Sequence, residues 1–154
     1  MDMPKPTEAH RRLETLVGAW RGEEKMPPSR WAPQGNVSSG RSTARLALDG
    51  FAAIVDYEQE NGGRITFRGH GVYTYDVNDG CYVLHWFDCM GGRPEEFRGT
   101  FDGETLTMMR SGPEGQFRLT WRYAGDRMTH TMEMAPDGKQ WTTLMEGAYT
   151  RERR

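Results

Sequence analysis

From residue 18 onward, apolar and polar side chains alternate in short runs, each closed by a Gly, Asn or Asp cluster about every ten residues. Successive side chains on a strand face opposite ways, so alternation of period two marks strands with one buried face. The pattern predicts ten strands, over residues 18–26, 41–49, 51–60, 64–76, 81–89, 95–102, 104–111, 115–124, 127–135 and 139–150. The one helical signal lies at 7–16. Thr7 supplies an N-cap oxygen and Leu13, Leu16 and Val17 share a face. His10 falls at the third helical position on the surface, and Gly18 ends the helix. Residues 27–40 (PPSRWAPQGNVSSG) read as one long loop placed to act as a lid over a barrel end.

Turn residues fix registers, and the registers check one another. A turn at Asp49-Gly50 pairs Leu48 with Phe51, Leu46 with Ala53 and Ala44 with Val55. A three-residue turn at Asn61-Gly62-Gly63 pairs Tyr57 with Phe67 and Val55 with Gly69. Asn78-Asp79 sets Tyr73 opposite Leu84 and Gly71 opposite Trp86. Gly125-Asp126 sets Trp121 opposite His130 and Leu119 opposite Met132. Asp137-Gly138 sets Met134 opposite Trp141 and His130 opposite Met145. Each turn keeps the apolar set on one face, where a slip of one residue would invert every side chain. A ten-strand meander with one apolar face curls until its edges meet, because closure removes the exposed edge strands. The expected fold is all-β: a closed antiparallel up-and-down barrel with a short N-terminal helix. It forms one domain over 1–154, with the helix at 7–16 and the barrel at 18–151. An open two-layer sandwich is the alternative.

The inward set includes Leu48, Ile65 and Trp141 together with most of the aromatic and Met side chains. Gly22, Ala44, Ala53, Gly69, Gly71, Gly99 and Gly147 are interleaved on the same face. Small inward residues leave volume for a ligand, or else they mark strand bends filled by neighbouring aromatics. The expected ligand contacts are Glu24, Tyr57, Phe67, Tyr73, Trp86, Asp88, Trp121, His130, Met132 and Met145. Four polar groups point inward. Glu24 either holds a salt bridge at the barrel mouth or orients a ligand, Asp88 caps the Met90-Gly91-Gly92 turn, and Arg110 is solvated at its strand end. His130 sits between Trp121 and Met145, as a structural histidine, a base or an iron ligand.

Composition narrows the classes. Net charge is −2 with no basic stripe, so no nucleic-acid footprint is visible. No run is long and apolar enough to span a membrane, and the charged N-terminus lacks a signal-peptide core, which points to the cytoplasm. Cys81 and Cys89 fall on one strand roughly 26 Å apart, too far for a disulfide, and read as free thiols. His70 and His85 lie on the outer face without a third metal ligand, so no metal site is expected. Phe87, also outward, would suit a homodimer; a monomer is equally compatible.

Gly18-Ala19-Trp20 after a short helix resembles the Gly-x-Trp signature of the calycins, the lipocalin and fatty-acid-binding superfamily. That resemblance implies a basic residue from the closing strand packed over the tryptophan, a role that falls to Arg151, so Trp20 and Arg151 would close the barrel base. Further stretches are similar to a bacterial family of domains of unknown function, number 1579: LVGAWRGEEKM (16–26), Leu48-Asp49-Gly50-Phe51, Phe67-Arg68-Gly69-His70-Gly71, His85-Trp86-Phe87-Asp88 and Glu146-Gly147-Ala148-Tyr149-Thr150-Arg151. The likeness implies a calycin-like barrel and no particular activity. Nitrobindins, ten-stranded haem-binding barrels, are similar in size, with their axial histidine on the last strand. Here 139–150 contains no histidine, so haem would depend on His130, and no cofactor is expected. The function expected is binding of a small apolar or aromatic molecule inside the barrel. The alternatives are a barrel enzyme moving protons or a filled-core interaction protein.

Overall fold

The computed structural model describes residues 2–30 and 32–152. A short helix α1 (Glu8–Arg11) runs on as a 3-10 turn (Arg12–Leu16). Ten strands follow: β1 (Gly18–Met26), β2 (Asn36–Ala47), β3 (Ala52–Asn61), β4 (Arg64–Asp76), β5 (Cys81–Asp88), β6 (Glu95–Asp102), β7 (Thr105–Gly112), β8 (Gly115–Ala124), β9 (Arg127–Ala135) and β10 (Thr142–Arg151). Every strand pairs antiparallel with its sequence neighbours, and β1 pairs with both β2 and β10. The barrel is therefore closed and no strand edge is left unpaired.

Most registers fall where the turns place them. Leu46 faces Ala53, Tyr73 faces Leu84, and Trp121 faces His130. Two differ. Gly62-Gly63 forms a two-residue turn, and a bulge leaves Thr66 without a partner. Tyr57 then faces Gly69, not Phe67, and Ile65 faces Glu60 on the outer side, where it is 40% exposed. A second bulge, at Leu144, sets His130 opposite Gly147 and Met145 opposite Met132. One extra residue shifts the pairing of everything beyond it. Trp141 falls before β10 and lies beneath the Arg118 guanidinium, 4.0 Å from its ring, instead of inside the barrel. Leu48 is also outside: it opens the β2–β3 turn with φ of 53° and is 71% exposed. The long loop is shorter than expected, 27–35, because Asn36 to Gly40 pair with β1.

The helix plugs one end. Leu13 and Leu16 are buried against Trp20, and the Tyr82 hydroxyl donates to the carbonyl of Ala9 at 2.7 Å. His10 is buried, not on the surface. Its Nδ1 accepts the Thr7 N–H at 3.0 Å, a capping-box contact that turns the ring inward, edge-on to Phe51 and Tyr75. At the same end Arg151 stacks 4.3 Å above the Trp20 ring and donates to the Val17 carbonyl, while Trp20 Nε1 donates to Leu16 at 3.2 Å. Trp20 and Arg151 are thus in contact at the base of the barrel. Among the described residues no helix is long and apolar enough to cross a membrane.

Candidate functional site

A cavity of about 510 Å³ runs from the barrel interior to the end opposite the helix. All ten expected contact residues line it: Glu24, Tyr57, Phe67, Tyr73, Trp86, Asp88, Trp121, His130, Met132 and Met145. So do several that were not among the expected contacts: Gln59, and also Phe97, Phe117 and Tyr149, which alternation does turn inward. The described residues of the 27–35 loop do not line it; Trp31 falls outside the described residues.

The volume does not come from the small inward residues. A Cβ on Gly69 would stand 2.1 Å from the Trp86 ring, one on Gly40 2.3 Å from a Glu24 oxygen, and one on Gly147 2.3 Å from the Tyr149 hydroxyl. Larger side chains already fill those spaces. Eight strands make a barrel that side chains can just fill; ten make a wider one, and the excess becomes the cavity.

Glu24 is fully buried and has no cationic partner among the described residues, so of its two alternative roles the salt bridge is not formed there. Its Oε1 accepts from the Tyr57 hydroxyl at 2.6 Å and the Gln59 amide at 3.0 Å, and its Oε2 accepts from the Tyr149 hydroxyl. The carboxylate thus ties β1 to β3 and β10. Burial, then the negative charge and hydrogen bonds of Glu24, push the Tyr57 and Tyr149 hydroxyls well above the usual phenol range. They remain neutral donors, and their rings form cavity wall. Glu24 borders the cavity but has no exposed surface of its own, and it positions the two tyrosines.

His130 stacks on Trp121, with ring centres 4.6 Å apart and planes 16° apart. Its Nδ1 lies 3.0 Å from the Thr120 carbonyl, which can only accept, so Nδ1 carries the hydrogen and Nε2 the lone pair. Among the described residues Nε2 has no hydrogen-bond partner, and the His130 side chain lines the cavity. Burial lowers the His130 pKa to about 4, so the ring is neutral near pH 7. Nε2 is the one imidazole nitrogen lining the cavity among the described residues, and it could serve as a single axial ligand to iron.

At the mouth, Asp88 does two things. Its Oδ1 accepts the Met90 N–H at 3.0 Å, the expected cap, and its Oδ2 accepts from Trp86 Nε1 at 2.9 Å, fixing that indole. Arg110 is not freely solvated. Its guanidinium lies 4.4 Å from the Phe117 ring centre and 5.4 Å from that of Phe97, with Nη2 3.4 Å from Glu95. Sequence spacing gives no sign of this, because the contact joins β6, β7 and β8. On the outer face His70 bonds Asp56 at 2.7 Å and His85 meets Glu96 at 3.2 Å. Cys81 and Cys89 are free, and among the described residues no group of His, Cys, Asp and Glu is arranged to hold a metal.

The fold and cavity define a lipocalin-like ten-stranded barrel. Residues 5–151 match the model of a family described as a protein of unknown function, DUF1579, and the chain belongs to that family. Its fold is similar to that in the crystal structure of Rv2717c from M. tuberculosis, at TM-score 0.73 and 16% identity, covering 96% of this chain and 99% of that one. It is also similar to the S-type phycobiliprotein lyase CPES from Guillardia theta, at TM-score 0.59 and 11% identity, covering 97% and 99%. No curated protein matches the sequence.

Proposed function

We propose that this barrel binds a small, mainly apolar or aromatic molecule in its interior. The observation that carries the reading is the cavity itself: about 510 Å³, walled by aromatic rings and thioethers, with a few fixed polar groups. Cavities of that size and lining suit small organic ligands. The Met side chains adapt to irregular shapes, and the tyrosines locked by Glu24 give the wall a defined form. A barrel of the same topology also occurs in a protein named a phycobiliprotein lyase, so the architecture is not confined to passive carriers.

Proton-transfer catalysis has weaker support. A general base works best with a pKa near the operating pH, and His130, at about 4, holds a proton poorly. Glu24 accepts from three side-chain donors and has no exposed surface, so it presents no oxygen to a bound molecule. Haem binding would rest on His130 Nε2 alone.

Native mass spectrometry of the protein purified from its own host tests the reading. A co-purifying organic mass, released on unfolding, is expected. No bound mass, together with unchanged tryptophan fluorescence on adding apolar aromatic probes, would overturn it. In a parallel hemin titration, a Soret band lost in His130→Ala and kept in His70→Ala would identify haem as the molecule.

A further inference from the structure

Where β3, β4 and β5 meet the cavity, three half-buried rings line it together: Tyr57, Phe67 and Trp86. The Tyr57 ring centre lies 6.1 Å from that of Phe67 and 6.3 Å from that of Trp86. The planes are inclined at 60° and 51°, so the rings form the walls of a corner and do not stack. The Trp86 indole rests on β4 in space that two glycines leave open. A Cβ on Gly69 would stand 2.1 Å from its ring, and one on Gly71 3.4 Å from it. Asp88 fixes the indole, its Oδ2 accepting from Nε1 at 2.9 Å. The Tyr57 hydroxyl donates to Glu24 at 2.6 Å, which sets a carboxylate against that ring.

The charges around the cavity favour one sign of ligand. Five carboxylates line it (Glu24, Asp88, Glu95, Glu114 and Glu133) against one guanidinium, that of Arg110. Arg110 is already engaged by Glu95 at 3.4 Å and by the Phe97 and Phe117 rings. Glu133 is matched by Arg118 through two bonds of 3.0 Å. Asp88 accepts from Trp86 and Met90 N–H groups and has no cationic partner among the described residues. An entering anion meets this excess negative charge, whereas a cation relieves it. A cation over a ring face, within about 6 Å of its centre, is also attracted to the ring, most strongly to that of tryptophan. Tyr57 and either neighbour are close enough for one cation to lie within that reach of both. An alkylated ammonium suits such a corner, because its methyl groups pack on rings and it brings few N–H donors into an apolar wall.

Resting on the ligand-binding reading above, we propose that the cavity takes a molecule with an alkylated ammonium group on an apolar or aromatic body. The ammonium sits in the corner of Tyr57, Phe67 and Trp86 beside the Asp88 carboxylate. The body extends among the remaining apolar lining, such as Trp121 and Met132.

Titration calorimetry on the intact chain tests this with three probes of nearly one shape and different charge. Trimethylphenylammonium is the cation, tert-butylbenzene its neutral isostere and benzenesulfonate the anion. The cation is expected to bind about tenfold more tightly than tert-butylbenzene. Benzenesulfonate is expected to bind more weakly than either. Asp88→Asn keeps an acceptor for the indole and removes the charge, so it should weaken the cation severalfold and leave tert-butylbenzene unchanged. Trp86→Leu should erase the preference for the cation. If tert-butylbenzene binds as tightly as the cation, or benzenesulfonate does, the ammonium assignment is overturned and interior binding still stands. Cation affinity unchanged in both variants overturns its placement in this corner. If no probe binds, interior binding of aromatic molecules fails, and this proposal with it. The wild-type series decides the sign of charge even if a variant does not fold.

Discussion

Glu24 and His130 occupy one row of the sheet, on either side of Gly147, yet their environments oppose one another. Glu24 has three donors and no exposed surface, so it acts on the fold. His130 has one backbone partner and one open nitrogen, so it faces whatever enters. Its low pKa carries a stability consequence. The folded ring resists protonation down to about pH 4, while the unfolded chain takes up the proton near 6.5. Between those values the unfolded state binds more protons, so stability falls as pH drops from 6.5 to 4, by up to about 3 kcal/mol. Cavity water would reduce that figure. The turn carboxylates Asp76 and Asp137 are held below their usual range by backbone N–H groups, chiefly those of Asp79 and Gln140. Their contributions are present above the ordinary carboxylate range and are lost only at lower pH. Urea midpoints measured across the 4 to 6.5 interval should therefore slope in the wild type and flatten in His130→Phe.

Among the elements, the glycines on the strands act through close approach. The Gly99 Cα faces β7 so tightly that a Cβ would stand 1.7 Å from the Thr107 carbonyl oxygen. Gly99→Ala must push the β6–β7 pair apart and should cost about 3 kcal/mol, seen as a lowered urea midpoint. Gly92, in the β5–β6 connection with nothing within 4 Å, is the control, and Gly92→Ala should change stability by less than about 0.5 kcal/mol. Alternation and turn chemistry made nine of the ten strands legible nearly to their ends. The exception is β2, where Asn36 to Gly40 look like loop because Ser, Gly and Asn are poor strand formers. They are held extended by pairing with β1, with the Gly40 position receiving the Glu24 carboxylate. The bulges at Thr66 and Leu144 were equally illegible, since an extra residue leaves no mark on composition and shows only against its partner strand.

For the whole molecule, closure is the decisive event, and it is concentrated where the chain's two ends meet. Arg151 caps the Trp20 indole, donates to Val17 and lies 3.6 Å from Asp126. Arg151→Ala removes the cation–π contact and leaves the Val17 carbonyl without that donor, a loss of about 2 kcal/mol. For a domain of this size the melting temperature should drop by about 4–8 °C, measurable by calorimetry. The cavity opens at the other end, so this variant should weaken the fold while leaving the cavity's lining residues in place.

The sequence by itself determined the inward face, because side-chain parity is local: strand alternation and turn type decide it within each hairpin. That is why all ten expected contact residues line the cavity despite two shifted registers, each offset being absorbed by a bulge that restores parity. The Gly-x-Trp pattern likewise marked the closing contact between Trp20 and Arg151. Tertiary structure alone decided what those inward residues do. Glu24 is satisfied by side chains 33, 35 and 125 positions away, and Arg110 is clamped by rings on two neighbouring strands. Whether a polar group is sealed, paired or left open depends on contacts between strands remote in sequence, and only closure of the barrel brings them together.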